Sequence, residues 1–215
     1  IIIVVFAALV FLGLDKLLFL DITKKGWRRA ERELPGLASK LGLEFIQGKL
    51  DYEIGEMRGT YRGRHVEVRP DDKANIEVAL LGRFKIEMGT YRSQLRRPPE
   101  GMVDFESGNK GFDGFFLKRF ASPEVFHKLT RSAELLDYSD EFRRKWNREL
   151  RFLEVSETSV RCSLKYGQGT YIPARVLEAL LPDLCRLAEL FEIAMGVNTA
   201  RGLRGHDSGA DSHRK

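Results

Sequence analysis

The first fourteen residues, IIIVVFAALVFLGL, contain no polar side chain, and the charges of Asp15 and Lys16 interrupt the run only briefly before LLFL. A helix that is apolar on every side is uncommon in a domain of ordinary size, because a helix at the surface of a water-soluble body shows a polar edge. Fourteen helical residues rise about 21 Å, short of the roughly 30 Å hydrocarbon core of a bilayer, whereas twenty rise about 30 Å. Residues 1–20 therefore read as a transmembrane anchor. The span is completed either by taking in Asp15 and Lys16 near one end, where a lysine can snorkel, or by extending upstream of Ile1. A secretory signal would close on small residues at a cleavage point, and LGLDKLLFLD offers none.

The flank sets the direction. Lys24, Lys25, Arg28, Arg29 and Arg32 follow within about a dozen positions of Leu20, and basic residues so placed hold their side of a span in the cytoplasm. Trp27 is the type of side chain that sits at headgroup level. These six residues form the expected membrane interface, inside a basic juxtamembrane helical segment over 21–41. Such a segment is drawn to anionic lipid by about 1 kcal/mol per cation. The plainer reading, a solvated helix face, is compatible with it.

Charge elsewhere is balanced. The chain of 215 residues carries +5, but residues 24–32 hold five cations against one anion and residues 201–215 hold four against two, which leaves the rest close to neutral. A basic surface spread over the domain, as nucleic-acid binding requires, is not expected. Cys162 and Cys185 stand apart, each among apolar neighbours, and read as buried thiols rather than a disulfide or a metal pair.

Between residues 42 and 195 the periodicity describes an α+β domain. Helical spacing over 21–41 is expected to break at Pro35 and Gly36, with a short second helix after them. The period then changes to two: GEMRGTYRGRHVEVRP reads as a hairpin turning at 62–64, and NIEVALLG and RFKIEMGTY as two further strands hinged at Gly82, together an antiparallel meander. After the polar loop RSQLRRPPEG, MVDFES and GFFLKRF are predicted strands. A helix follows with Ser122 as N-cap and Pro123 at its first position, and then a second helix through Phe142 and Trp146. A hairpin turning at Glu157 and Thr158 leads to a long helix from Pro173 to about Met195, bent at Pro182, with Val176, Leu177, Leu180, Leu184, Leu187, Ala188 and Phe191 on one face. The glycine-rich polar tail 196–215 is predicted to be disordered. The expected fold is thus α+β: a transmembrane helix, an antiparallel sheet with helices packed on one face, a long C-terminal helix and a loose tail.

Signatures of chemistry are sparse. His65, His127, His206 and His213 occur in no metal-binding spacing, no nucleophile elbow is present, and Cys162 has no neighbouring base. GTYRGR and GQGTYIP match phosphate loops only in part and read as a hairpin turn and a strand-to-helix link. No cofactor, no metal and no catalytic residue is expected. Arg83, Lys85, Arg92, Arg96 and Arg97, with Phe84 and Tyr91 interleaved, form a candidate patch for an anionic ligand, although strand alternation alone explains Arg83 and Lys85. Phe105, Phe112, Phe115 and Phe116 in FESGNKGFDGFF could frame an aromatic lip, against the commoner role of core.

In layout the chain resembles bacterial single-pass proteins with a cytoplasmic α+β domain, a likeness that implies an address and no chemistry. The expectation is a non-enzymatic protein with membrane lipid around residues 1–20, a cytoplasmic bulk and a protein partner, in a binding or scaffolding role. Nucleic acid is not expected as a partner. The alternatives are an anchored enzyme with a dispersed site and a module for anionic lipid or nucleic acid using residues 83–97.

Overall fold

Alternation of buried and exposed residues decides the centre of the molecule. A computed structural model describes residues 28–49, 54–70, 75–90, 97–165 and 172–197. The predicted anchor at 1–20, Lys24, Lys25, Trp27, Tyr91, Arg92, Arg96 and the predicted tail from residue 198 lie outside the described residues. Among the described residues no helix is long and apolar enough to cross a membrane. The described chain is mixed α+β, with five helices and one antiparallel sheet of nine strands.

In chain order the strands are β1 (Glu44–Ile46), β2 (Glu56–Tyr61), β3 (Arg64–Arg69), β4 (Asn75–Ala79), β5 (Ile86–Gly89), β6 (Val103–Asp104), β7 (Lys118–Ala121), β8 (Leu150–Val155) and β9 (Ser159–Leu164). The helices are α1 (residues 28–41), α2 (Lys110–Phe115), α3 (Pro123–Arg131), α4 (Ala133–Trp146) and α5 (Ala174–Met195). Val66, Val68, Ile76, Val78, Val160 and Cys162 occupy one face of the sheet and are fully buried, while Arg58, Glu67, Glu77, Arg161 and Glu154 run across the other as a polar ladder. Packing of α5 on β4 and β9 covers the apolar face, and α3 and α4 pack against α5 in turn.

The expected meander is corrected. Strand order is β1-β2-β3-β4-β9-β8-β5-β7-β6, so β4 and β5 are not neighbours, and the β8–β9 hairpin lies between them. The link from β4 to β5 crosses the tip of that hairpin: the Leu80 and Phe84 amides donate to the carbonyls of Thr158 and Glu157 at 2.8 and 3.0 Å. Every strand except β1, which the sequence reading lacks, is visible in its own alternation, but the pairing of β4 with β9 joins residues 80 to 88 positions apart, about which local periodicity is silent.

The expected break at Pro35 is also corrected, because α1 runs unbroken from residue 28 to 41. Proline in a helix interior costs about 3 kcal/mol. Against that, Ala30, Leu34, Leu37 and Ala38 are at most 5% exposed, and full burial of each leucine contributes about 1.5–3 kcal/mol. Packing outweighs propensity here. The helix ends at Gly42, whose φ of +69° lets the Leu43 amide turn back to the Ala38 carbonyl at 2.8 Å.

The expected strand GFFLKRF is a strand over Lys118–Phe120, within β7, but its first residues, Gly114 and Phe115, close a helix, α2, that the periodicity does not announce. Asn109 accepts from the Phe112 amide at 3.0 Å as N-cap, and Asp113 accepts the amides of Ser107 and Gly108 at 2.9 and 3.1 Å. Short polar side chains that bond nearby amides favour such caps over strand pairing. Phe105, Phe112, Phe115 and Phe116 are all buried, with Phe116 in ring contact with Phe112, Phe115 and Phe191. They are core, not a lip.

Candidate functional site

The expected membrane interface is described in its second half, on α1. Ala30, Leu34, Leu37 and Ala38 fall on one stripe of that helix, which puts Arg28 and Arg32, four apart, on the opposite side, with Arg29 beside them. All three are exposed. Arg32 Nε donates to the Arg28 carbonyl at 3.0 Å, and Arg29 Nε to Glu33 at 2.7 Å. At the far end of α1, Lys40 Nζ meets Glu178 on α5 at 2.5 Å, one of the ties between this helix and the rest of the domain.

The candidate anionic patch is described at Arg83, Lys85 and Arg97. Arg83 is 79% exposed and its Nε donates to Glu157 at the β8–β9 tip at 2.8 Å, so part of its charge is answered locally. Lys85 and Arg97 are exposed, and Phe84 between the first two is half-buried against the core. The positions of Arg83 and Lys85 follow from the strand link that crosses the hairpin tip, whereas Arg97 lies beyond β5.

Sequence reading missed the most deeply buried charged pair. Arg64, at the start of β3, and Glu192, near the end of α5, are 4% and 0% exposed. Arg64 Nη2 donates to Glu192 Oε2 at 2.6 Å, Nη1 donates to Oε1, and the Leu81 amide donates to the same Oε1 at 2.6 Å. A sequence signal existed: Glu192 follows Leu184 by eight and Ala188 by four, which puts a carboxylate inside the apolar arc of α5. Both ends are occupied by each other, so the arrangement ties the β2–β3 turn, the strand link and α5 together. It leaves no free acid or base. The hairpin turn itself is tight, with Arg62 at φ +50° and Gly63 at φ +75°.

Lys118 and Asp183 are committed in the same way, whereas Glu149 Oε2 is buried without a hydrogen-bond partner among the described residues. Lys118 on β7 is paired with Glu87 on β5, and Asp183 on α5 accepts from Trp146 Nε1 at 2.7 Å and from Lys145 Nζ at 2.8 Å. Burial pushes both thiols up, Cys185 to about 11 and Cys162 further, away from nucleophilic use at neutral pH. Among the described residues, no group of three His, Cys, Asp or Glu side chains is placed to hold a metal ion.

A solved structure shares this fold. It is the crystal structure of the mycobacterial trehalose monomycolate transport factor A, TtfA, with a TM-score of 0.50 and 10% identity over 79% of this chain and 96% of that one. No family model matches the chain, and no curated protein does. At 10% identity the likeness concerns the α+β architecture alone, and residue roles do not transfer.

Proposed function

We propose that this chain is a single-pass membrane protein whose cytoplasmic α+β domain binds or scaffolds a protein partner and is not itself an enzyme. The observation that carries the reading is the continuity between the apolar segment and the domain. Residues 1–20 have the length and character of a span, a basic flank follows, and by Ala30 the chain is already part of the domain's core. An anchor joined to a packed helix so directly holds a folded body beside the bilayer. The non-enzymatic half of the reading is supported by the interior pairs of Arg64 with Glu192 and Lys118 with Glu87, which serve cohesion between elements. TtfA is named for the transport of trehalose monomycolate; as a fold neighbour it adds architecture to the reading and no substrate.

Fractionation of cells expressing the full chain tests the address. The protein is expected to stay with membranes through an alkaline carbonate wash, and protease added to inverted vesicles is expected to remove the α+β domain while leaving right-side-out vesicles untouched. Release by carbonate, or digestion from the outer side, refutes the reading. The scaffolding role is tested by crosslinking at native expression, where a stoichiometric partner is expected and its absence counts against the proposal.

A further inference from the structure

The basic segment of an anchored protein can meet a bilayer in two physically different ways. It can lie in the interface with an apolar stripe sunk among acyl chains, or it can touch headgroups through charge alone. The structure separates these for α1. Its one apolar stripe, Ala30, Leu34, Leu37 and Ala38, is taken by the core of the domain. What remains outward is the row of Arg28 and Arg32 flanked by Arg29, with Glu31, Pro35, Gly36, Ser39 and Lys40 also exposed and no exposed aromatic, Leu, Ile, Val or Met side chain among them.

Distance reinforces the point. Residue 20, the end of the apolar segment, and Arg28 are eight positions apart, about 12 Å if helical and about 28 Å if fully extended. Electrostatic attraction to a charged surface decays over about 8 Å at physiological ionic strength, so a helical tether brings the first of these guanidinium groups to within about two decay lengths of the surface, whereas a fully extended one lets it leave that range. Arginine also matches phosphate geometry through its planar fork.

We infer that the outward row of α1, Arg28, Arg29 and Arg32, is a headgroup-contact surface for anionic lipid that fixes the domain against the bilayer by charge without inserting. This rests on the anchored reading above. Each arginine that reaches the surface shifts the ratio of docked to undocked domain by about fivefold.

The test uses the full chain in proteoliposomes of phosphatidylcholine with or without phosphatidylserine. A fluorophore is placed at Glu31→Cys, an exposed position on α1, and the buried Cys162 and Cys185 leave it the reactive thiol. Quenching by a nitroxide-headgroup lipid is expected on anionic vesicles, and it should be lost in high salt and in Arg28→Glu/Arg29→Glu/Arg32→Glu. The milder Arg28→Gln/Arg32→Gln, which keeps the Arg29–Glu33 pair, should lose most of it with an unchanged melting midpoint. Equal quenching on neutral vesicles, or quenching indifferent to salt and to both variants, overturns the inference. A chain that washes off the vesicles with carbonate overturns the anchor and this contact with it, so the two failures are distinguishable.

Discussion

Glu192 accepts both outer nitrogens of Arg64 across 128 positions of sequence, and the same carboxylate holds the amide of Leu81. One buried acid thereby fixes three elements that sequence order keeps apart: the β2–β3 turn, the link that leaves β4 and the last turn of α5. Such a pair is not required for raw stability, since two well-packed apolar residues often do as well. Its effect is on register. A one-residue slip of β3 would move Arg64 to the solvent face and leave Glu192 buried without its counter-ion.

Breaking the pair from one side is therefore far worse than removing it whole. Glu192→Ala, which strands the Arg64 guanidinium in the core, is expected to destabilise the domain by about 3–5 kcal/mol, and Arg64→Met with Glu192→Leu is expected to recover most of that. Urea unfolding of the detergent-solubilised chain, followed by far-UV circular dichroism, measures both. A Glu192→Ala midpoint equal to that of the double variant would show that the charge is not isolated in the way the geometry requires.

Burial of the thiols predicts a one-sided pH response. The folded state holds Cys185 and Cys162 neutral above the range in which an exposed cysteine ionises, so the folded pKa values are raised. A raised pKa stabilises the fold fully below the unfolded value, and that contribution is lost as pH climbs through the window between the two. Between about 9 and about 11 each thiol is expected to remove roughly 1.4 kcal/mol per pH unit. Melting at pH 7, 9 and 10.5 should show a progressive fall that Cys185→Ala reduces. Iodoacetamide should leave both thiols unmodified at pH 7.5 in the native state and modify both in urea.

What the sequence revealed and what it hid divide along chain distance. The Ser122 cap of α3, the turn at Glu157 and Thr158 and the span of α5 were all legible, because each depends on residues within a few positions of one another. The insertion of β8 and β9 between β4 and β5 was not, since alternation names the buried face of a strand and never its neighbour. Pro35 misled for a different reason: propensity is a local quantity, and the burial of Leu34 and Leu37 that overrides it is tertiary. In the basic flank the residues of the candidate surface were readable from type and spacing. That its apolar side belongs to the core was not, because an amphipathic helix has the same pattern whether lipid or protein covers it.

Two glycines should respond in opposite ways to alanine. Gly36 lies inside α1 with nothing within 4 Å of where a Cβ would stand, so Gly36→Ala is expected to stabilise by about 0.5–1 kcal/mol through helix propensity. Gly55, just before β2, has φ +88°, and a Cβ there would run into the carbonyl oxygen of Ile46. Gly55→Ala is expected to destabilise by about 1–3 kcal/mol, consistent with strain in that backbone region. Opposite shifts in the same thermal assay confirm both placements, and a neutral Gly55→Ala would reject the described entry into β2.

The contact between α4 and α5 concentrates on Asp183, which follows Pro182 inside α5. Its carboxylate receives the Trp146 indole N–H and the Lys145 ammonium, and its carbonyl accepts from the Tyr138 hydroxyl at 3.3 Å. Trp146 is 6% exposed, so losing the acceptor leaves a buried donor unanswered, at a cost of about 1–3 kcal/mol. Asp183→Ala should show that loss. Trp146→Phe removes the donor together with some packing, and the double variant should be less destabilised than the two singles combined. A coupling of about 1 kcal/mol or more in this cycle is the expected result. Strict additivity would mean that the Trp146–Asp183 hydrogen bond does not join the helices, leaving the Arg186–Glu134 pair and apolar contact to hold α4 on α5.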